Sequence, residues 1–264
     1  MYKINNIDVT TYGIVPTQFS GQSLAIAGAL DFPARKGTTE HSWGTETEAF
    51  VSAADLEYEG RDISFKGIMK ATTRAALITS LANFSANCKT ANTTIETGLG
   101  TFPVTLTKGI TIVELSSTII ILEAKFRQFV VSFPSTPGTP TGGTGYRIDG
   151  YNLKVDFGIA VLSTAGRKSI PERIEIKTTA DYTNAAYGAP RDISMVCFMT
   201  AASQAILAAQ MGRFQKLLST PGMRTLTFPD ETTASVYAKN GFTTSALTGE
   251  PKASGHFTLT LRQP

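Results

Sequence analysis

Twelve consecutive residues near the middle of the chain, 134–145, read Pro-Ser-Thr-Pro-Gly-Thr-Pro-Thr-Gly-Gly-Thr-Gly. Such a run has no apolar side chain to bury, so it reads as a linker, and any core must be built from the residues on either side of it. It leaves 133 residues before it (1–133) and 119 after it (146–264), each an ordinary length for a small domain.

The two flanks resemble each other. Arg61-Asp62-Ile63-Ser64 recurs as Arg191-Asp192-Ile193-Ser194 at an offset of 130, and the same offset carries Met69 to Met199. It also carries Leu77, Leu81, Phe84 and Cys88 onto Leu207, Met211, Phe214 and Leu218, a spacing that marks the apolar stripe of a helix. Val104 and Gly109 match Val236 and Gly241 at offset 132. The openings match as well: Tyr2-Lys3-Ile4-Asn5 with Tyr12-Gly13-Ile14, against Tyr146-Arg147-Ile148-Asp149 with Phe157-Gly158-Ile159, at offsets of 144–145. The fall in offset from 144–145 to 130 places about 14 extra residues in the first flank, between opening and helix. The pattern predicts one domain present twice.

Alternation and turn signals predict the elements. In the first flank they place strands at 2–9, 49–58, 62–69, 100–107, 110–115 and 119–131, a hairpin turn at Lys108-Gly109, and a helix from a Thr72 or Thr73 cap to about Cys88. In the second they place strands at 172–178, 192–199, 226–228, 235–239 and 255–261 and a helix over 203–218. The expected fold class is therefore mainly β (α+β): two tandem copies of a β-sandwich or rolled sheet, each flanked by one α-helix.

Composition removes several functions. Charged residues are 17% and hydrophobic ones 42%, so the chain is not disordered. No apolar run has the length of a membrane helix, and the first six residues lack a leader's apolar stretch. A net charge of +3 is too small to argue for nucleic acid or an anionic membrane. Two cysteines and two histidines make neither a disulfide framework nor a zinc cluster.

Candidate catalytic groups do not converge. His41 lies in a polar stretch, His256 begins the last strand, and Cys88 and Cys197 fall on apolar faces. Glu46, Glu48, Asp55, Glu57 and Glu59 alternate as on a solvated strand face, and 141–145 lacks the Lys-Ser/Thr ending of a phosphate loop. No catalytic residue, metal ligand or cofactor is expected. Two features stand out instead. Arg61, Asp62, Arg191 and Asp192 form a twice-occurring motif that reads as structural. The long irregular loop 19–42, with Phe19, Arg35 and Lys36 in it and Trp43 just beyond, reads as a subunit contact.

The opening 2–9 with Tyr12-Gly13-Ile14, and the strand Arg61-Asp62-Ile63-Ser64-Phe65 followed by a helix with Phe84 near its end, resemble tail proteins of long-tailed bacteriophages. The types are the distal tail (Dit-like) proteins and the related tail-tube proteins. The resemblance covers most of the first 130 residues and, through the repeat, the second flank. It departs where a common distal tail protein carries a different C-terminal domain.

The resemblance implies a β-sandwich with one flanking helix, joined edge to edge into a ring through whose lumen DNA passes. Two copies per chain would let a homotrimer fill six positions, with the linker spanning up to about 40 Å between neighbours. It further implies a virion structural protein, made in the host cytoplasm, at the distal tail or baseplate hub. Its partners would be itself and other tail proteins such as tube and hub proteins, with no enzyme activity and no membrane. Such a lumen lets DNA slide, so it makes no base-specific contact and avoids strong positive charge. Two other readings stay open: a tail-tube protein stacking into a helical tube, and a tandem carbohydrate-binding β-sandwich.

Overall fold

The computed structural model describes residues 1–43, 46–167, 171–177, 182–188, 190–249 and 251–264, with 171–177 and 182–188 described by their backbone alone. In the first half the elements are β1 (Lys3–Ile4), β2 (Ile7–Asp8), a 3-10 turn Val9–Tyr12, β3 (Ile14–Pro16), β4 (Ile26–Ala27), β5 (Glu40–Ser42), β6 (Thr47–Ala49), β7 (Arg61–Lys70), α1 (Arg74–Cys88), β8 (Thr93–Thr97), β9 (Gly100–Leu106), β10 (Thr111–Ser116) and β11 (Ile119–Gln128). In the second half they are β12 (Arg147–Ile148), β13 (Tyr151–Asn152), α2 (Leu153–Phe157), β14 (Ile159–Ala165), β15 (Pro171–Lys177), β16 (Tyr182–Gly188), β17 (Arg191–Ala201), α3 (Gln204–Leu218), β18 (Arg224–Thr227), β19 (Thr233–Val236), β20 (Ser245–Thr248) and β21 (Ala253–Gln263). With 43% strand and 16% helix the protein is mainly β, built of antiparallel sheets, one of them curled into a half-barrel.

Strand order is the same in both halves. The first sheet runs β2-β1-β8-β9-β11-β7-β3, with β10 also pairing β11, along 119–123 beyond its pairs with β9, and β4 also on β7. The second half runs β13-β12-β18-β19 and β14-β17-β21-β20. Its two sheets are joined by one bridge, in which Tyr237 and Arg262 exchange backbone hydrogen bonds of 2.9 and 2.8 Å.

Local chemistry explains the turns. Asn5 and Asn6 both take positive φ (51° and 64°), the conformation of a two-residue hairpin, so 2–9 is a tight hairpin and not the single strand expected from alternation. Asp149 and Gly150 do the same between β12 and β13. Thr73 and Ser203 cap the two long helices by accepting from the N–H of Ala76 (3.2 Å) and Ile206 (3.3 Å).

Other expectations need correction. Only the first residue of 49–58 is in a strand, because the chain there turns back through 50–60 to reach β7. Lys108-Gly109 is no hairpin turn: β9 pairs with β8 and β11, and β10 hangs from β11 alone. Strand β8 went unread because Ile95 is its one apolar residue, while its other inward position is the buried Thr93.

The segment 134–145 has no regular structure, yet it does not swing free. Arg213 Nε donates to the Pro137 carbonyl and Tyr151 Oη to the Gly138 carbonyl, each at 2.8 Å. Asn152 Nδ2 donates to the Thr144 carbonyl, also at 2.8 Å, so the run lies along the second half. One hydrophobic core continues through both halves, from Phe65, Phe84 and Phe126 to Phe214, Phe242 and Phe257.

Candidate functional site

The twice-occurring Arg-Asp pair is a fastening at the start of the long central strand. Arg61 Nε donates to Gln128 Oε1 on β11 (2.8 Å) and its terminal nitrogen to the Asp31 carbonyl (3.1 Å). Asp62 accepts from Arg127 at 2.9 Å. In the second half Arg191 Nε donates to Gln263 Oε1 at 2.9 Å and a second nitrogen to the Arg167 carbonyl, while Asp192 accepts from Arg262 at 3.2 Å. Beneath each pair lies a glycine with φ of +78°, Gly28 and Gly166, where a Cβ would fall 2.0 Å from the Asp62 or Asp192 carbonyl oxygen. Burial brings the Arg61 guanidinium down to about 10, so it stays charged at neutral pH beside Asp31. Arg61 and Arg191 tie strand, neighbour and loop together, and neither is free to bind a substrate.

The loop 19–42 leads to the seam between the halves. Phe32 and Phe242 exchange backbone hydrogen bonds of 3.0 Å in each direction, and their rings lie 5.6 Å apart. Ser23 N–H donates to the Leu247 carbonyl (2.8 Å). Asp31 accepts from the Thr244 N–H (2.7 Å), and burial pushes its carboxyl up against that bond and the charge of Arg61. Gln215, buried on α3, donates its amide to the Leu30 carbonyl at 2.8 Å, as a buried amide must find a partner. Glu40 on β5 receives three partners from the second half: Tyr237 Oη (2.7 Å), Lys239 Nζ (2.7 Å) and both sides of the Arg262 fork (3.0 and 3.1 Å). Burial would raise the Glu40 carboxyl, but Lys239, Tyr237 and Arg262 together hold it down at about 2. Burial and the adjoining carboxylate raise the Tyr237 hydroxyl.

The four loop residues singled out in the sequence part company. Phe19 lies beneath Lys66, whose ammonium is 5.8 Å from the ring. Arg35 is 8% exposed, donates to the carbonyls of Phe50 and Asp55, and stands over the Tyr237 ring at 5.7 Å, so it serves this chain's interior and not an outer surface. Lys36 pairs with Glu57 at 3.8 Å. Trp43 is exposed too, at 67%, with its indole N–H on Glu48 and its ring 4.4 Å from His41.

The remaining candidates are dispersed. His256 lies tilted against Phe198, ring centroids 4.5 Å apart, far in sequence and in partners from His41. Both cysteines are buried, and burial pushes their thiols up to about 12, which leaves them protonated and unreactive. The acidic residues do not share one strand face: Glu48 is on β6, Asp55 accepts from Ser52, Glu57 pairs with Lys36 and Glu59 with Arg127. An open cleft of about 900 Å³ runs along the seam past Arg61, Asp62, Arg127, Val196 and His256, but both arginines in it are already paired. Among the described residues no His, Cys, Asp and Glu groups gather as a metal site, and no helix is long and apolar enough to cross a membrane.

The seam residues Asp31, Glu40, Gln215, Phe242 and Leu247 were not singled out from sequence. Gln215 carried the one readable signal, a polar residue directly after the inward Phe214; Glu40 looks like any other loop carboxylate. Comparison with protein-family models finds no match to the chain, and comparison with curated sequences finds none either.

Proposed function

We propose that the chain is a virion structural subunit of a phage tail, made of two tandem copies of one β-rich domain and assembling into a ring, a homotrimer with pseudo-sixfold symmetry, at the distal tail hub. The duplication is supported by the shared strand order, the paired Arg-Gln and Asp-Arg fastenings and the glycines Gly28 and Gly166 in matching strain. The observation that carries the assembly is the seam. The halves meet through different faces: the first offers its loop 19–42 and Glu40, the second its strand β20, its helix α3 and Arg262. A contact between unlike faces is heterologous, and repeated from chain to chain it closes a ring or grows a filament. The tail assignment itself comes from the resemblance in 2–14 and 61–84, and the DNA-filled lumen comes with it.

The test is the mass of the purified protein across a concentration series by light scattering, with negative-stain images of the same fractions. A species of about 85 kDa, three times the 28.2 kDa chain, seen as a six-lobed ring with a central hole, is expected. Open-ended stacks of such rings would favour the tail-tube variant. A compact monomer at every concentration counts against assembly. A monomer that binds glycans through exposed Trp43 would favour the carbohydrate-binding reading.

A further inference from the structure

The two halves differ most where they should be alike. The last strands of the halves correspond through Arg127 and Arg262, and through Gln128 and Gln263. That alignment sets Val113, opposite Ile121, against Ser245, opposite His256, and Ser116, opposite Ile119, against Thr248, opposite Ser254. Leu115 on β10 is therefore the counterpart of Leu247 on β20. Leu247 is fully buried and Leu115 is 58% exposed.

The cause is the first half's own covering segment. Residues 22–34 lie over β20, where Ser23 bonds to Leu247 and Asp31 to Thr244. Gly241 fits so closely beneath them that a Cβ there would stand 2.1 Å from the Phe32 carbonyl oxygen, whereas its counterpart Gly109 has nothing within 4 Å. Ile112 and Val113 are 44% and 54% exposed, and every residue of β10 faces solvent. The helices agree: α3 buries six residues and α1 only three, with Ile78 58% exposed. Arg74 at the start of α1 pairs with Glu114 on β10, which joins strand and helix into one face. An edge strand of this kind, apolar and with one side of its backbone unpaired, is a liability in a chain that stays alone.

We infer that the β10–α1 face of the first half is an acceptor surface for the second half of another copy of this chain, repeating between chains the contact that the halves make within one. The inference rests on the ring-subunit reading and names its interface. The occupant follows from what is already engaged. The first half's covering segment is committed to β20 of its own chain, so the corresponding face of a second half is the one left to meet a β10. Next to that face in the chain, β14 carries Leu162, 58% exposed, at a one-residue bulge between Val161 and Ser163. At this place in the first half the chain leaves the sheet, between β3 and β4, to form residues 17–25. An apolar acceptor on one half and an apolar protrusion on the other make a contact that propagates.

The test uses the full-length protein in two experiments. The double substitution Val113→Lys with Leu115→Lys is expected to weaken self-association at least about tenfold in a sedimentation series, with an unchanged far-ultraviolet spectrum and, at a dilution where both proteins are dissociated, an unchanged melting temperature. Hydrogen exchange on the unaltered protein is expected to show amides 111–116 protected in the assembled fraction and open in the dissociated one, with 245–248 protected in both. If the protein assembles while 111–116 exchange freely, or if the folded double variant assembles as well as the parent, the inference falls and the ring-subunit reading stands. If the unaltered protein stays monomeric at every concentration, both fall. Should the double variant fail to fold, the exchange experiment decides alone.

Discussion

Glu40 is the residue on which the seam's electrostatics turn. Its carboxylate accepts from a phenol, an ammonium and a guanidinium that all belong to the other half, and those partners hold it near 2 against an ordinary value of 4.5. Above pH 4.5 the carboxylate is ionised whether the chain is folded or not, and its contribution is complete. As pH falls from 4.5 toward 2 the unfolded chain takes up the proton first, and the contribution is lost. Glu40→Gln is therefore expected to cost about 1–3 kcal/mol at neutral pH. It is also expected to narrow the gap to the parent as pH drops through that window, read by urea denaturation at a series of pH values. A gap that does not change with pH would show that the charge plays no part. Nothing in the sequence around 40 announces this role, since all of its partners lie about 200 residues away.

At the scale of elements, the glycines under the two Arg-Asp fastenings hold the β3–β4 path and β14 against the central strands. Gly28→Ala and Gly166→Ala each force a side chain into a left-handed backbone and into a carbonyl 2.0 Å away. Each is expected to cost about 2–4 kcal/mol. Gly37→Ala is the control: its φ is +68° but nothing lies within 4 Å of the added carbon, so only the backbone term remains, about 1 kcal/mol. Chemical denaturation of the three variants checks this, and equal losses would remove the role of close packing. The elements themselves were legible where their signals are local. The stripe Leu207, Met211, Phe214, Leu218 is buried as its spacing implied, and so is the alternation of Phe257, Leu259 and Leu261. Short hairpins were not legible, because β1, β2, β12 and β13 have two residues each and no room for a period.

On the scale of the whole molecule, the shared core makes one cooperative unit out of two halves. Phe242 touches Phe32 across the seam and Phe214 and Phe257 within its own half. The linker is hydrogen-bonded along the second half instead of leaving it free to rotate. The chain is expected to unfold in a single calorimetric transition whose van't Hoff and calorimetric enthalpies agree. Two resolved transitions would mean that the seam holds less than the cores on either side.

By itself the sequence determined the mainly β class, the two long helices with their caps and the inward faces of the central strands. These follow from periodicity and from residues that act on neighbours a few positions away, and both are present in the chain before it folds. Only the tertiary structure decided that 19–42 is turned inward onto the same chain, that Arg35 and Gln215 are interior, and that Leu115 stays bare while Leu247 is sealed. Local pattern is alike at Leu115 and Leu247; their difference arises from which distant segment arrives to cover them, and that is settled by packing across the seam.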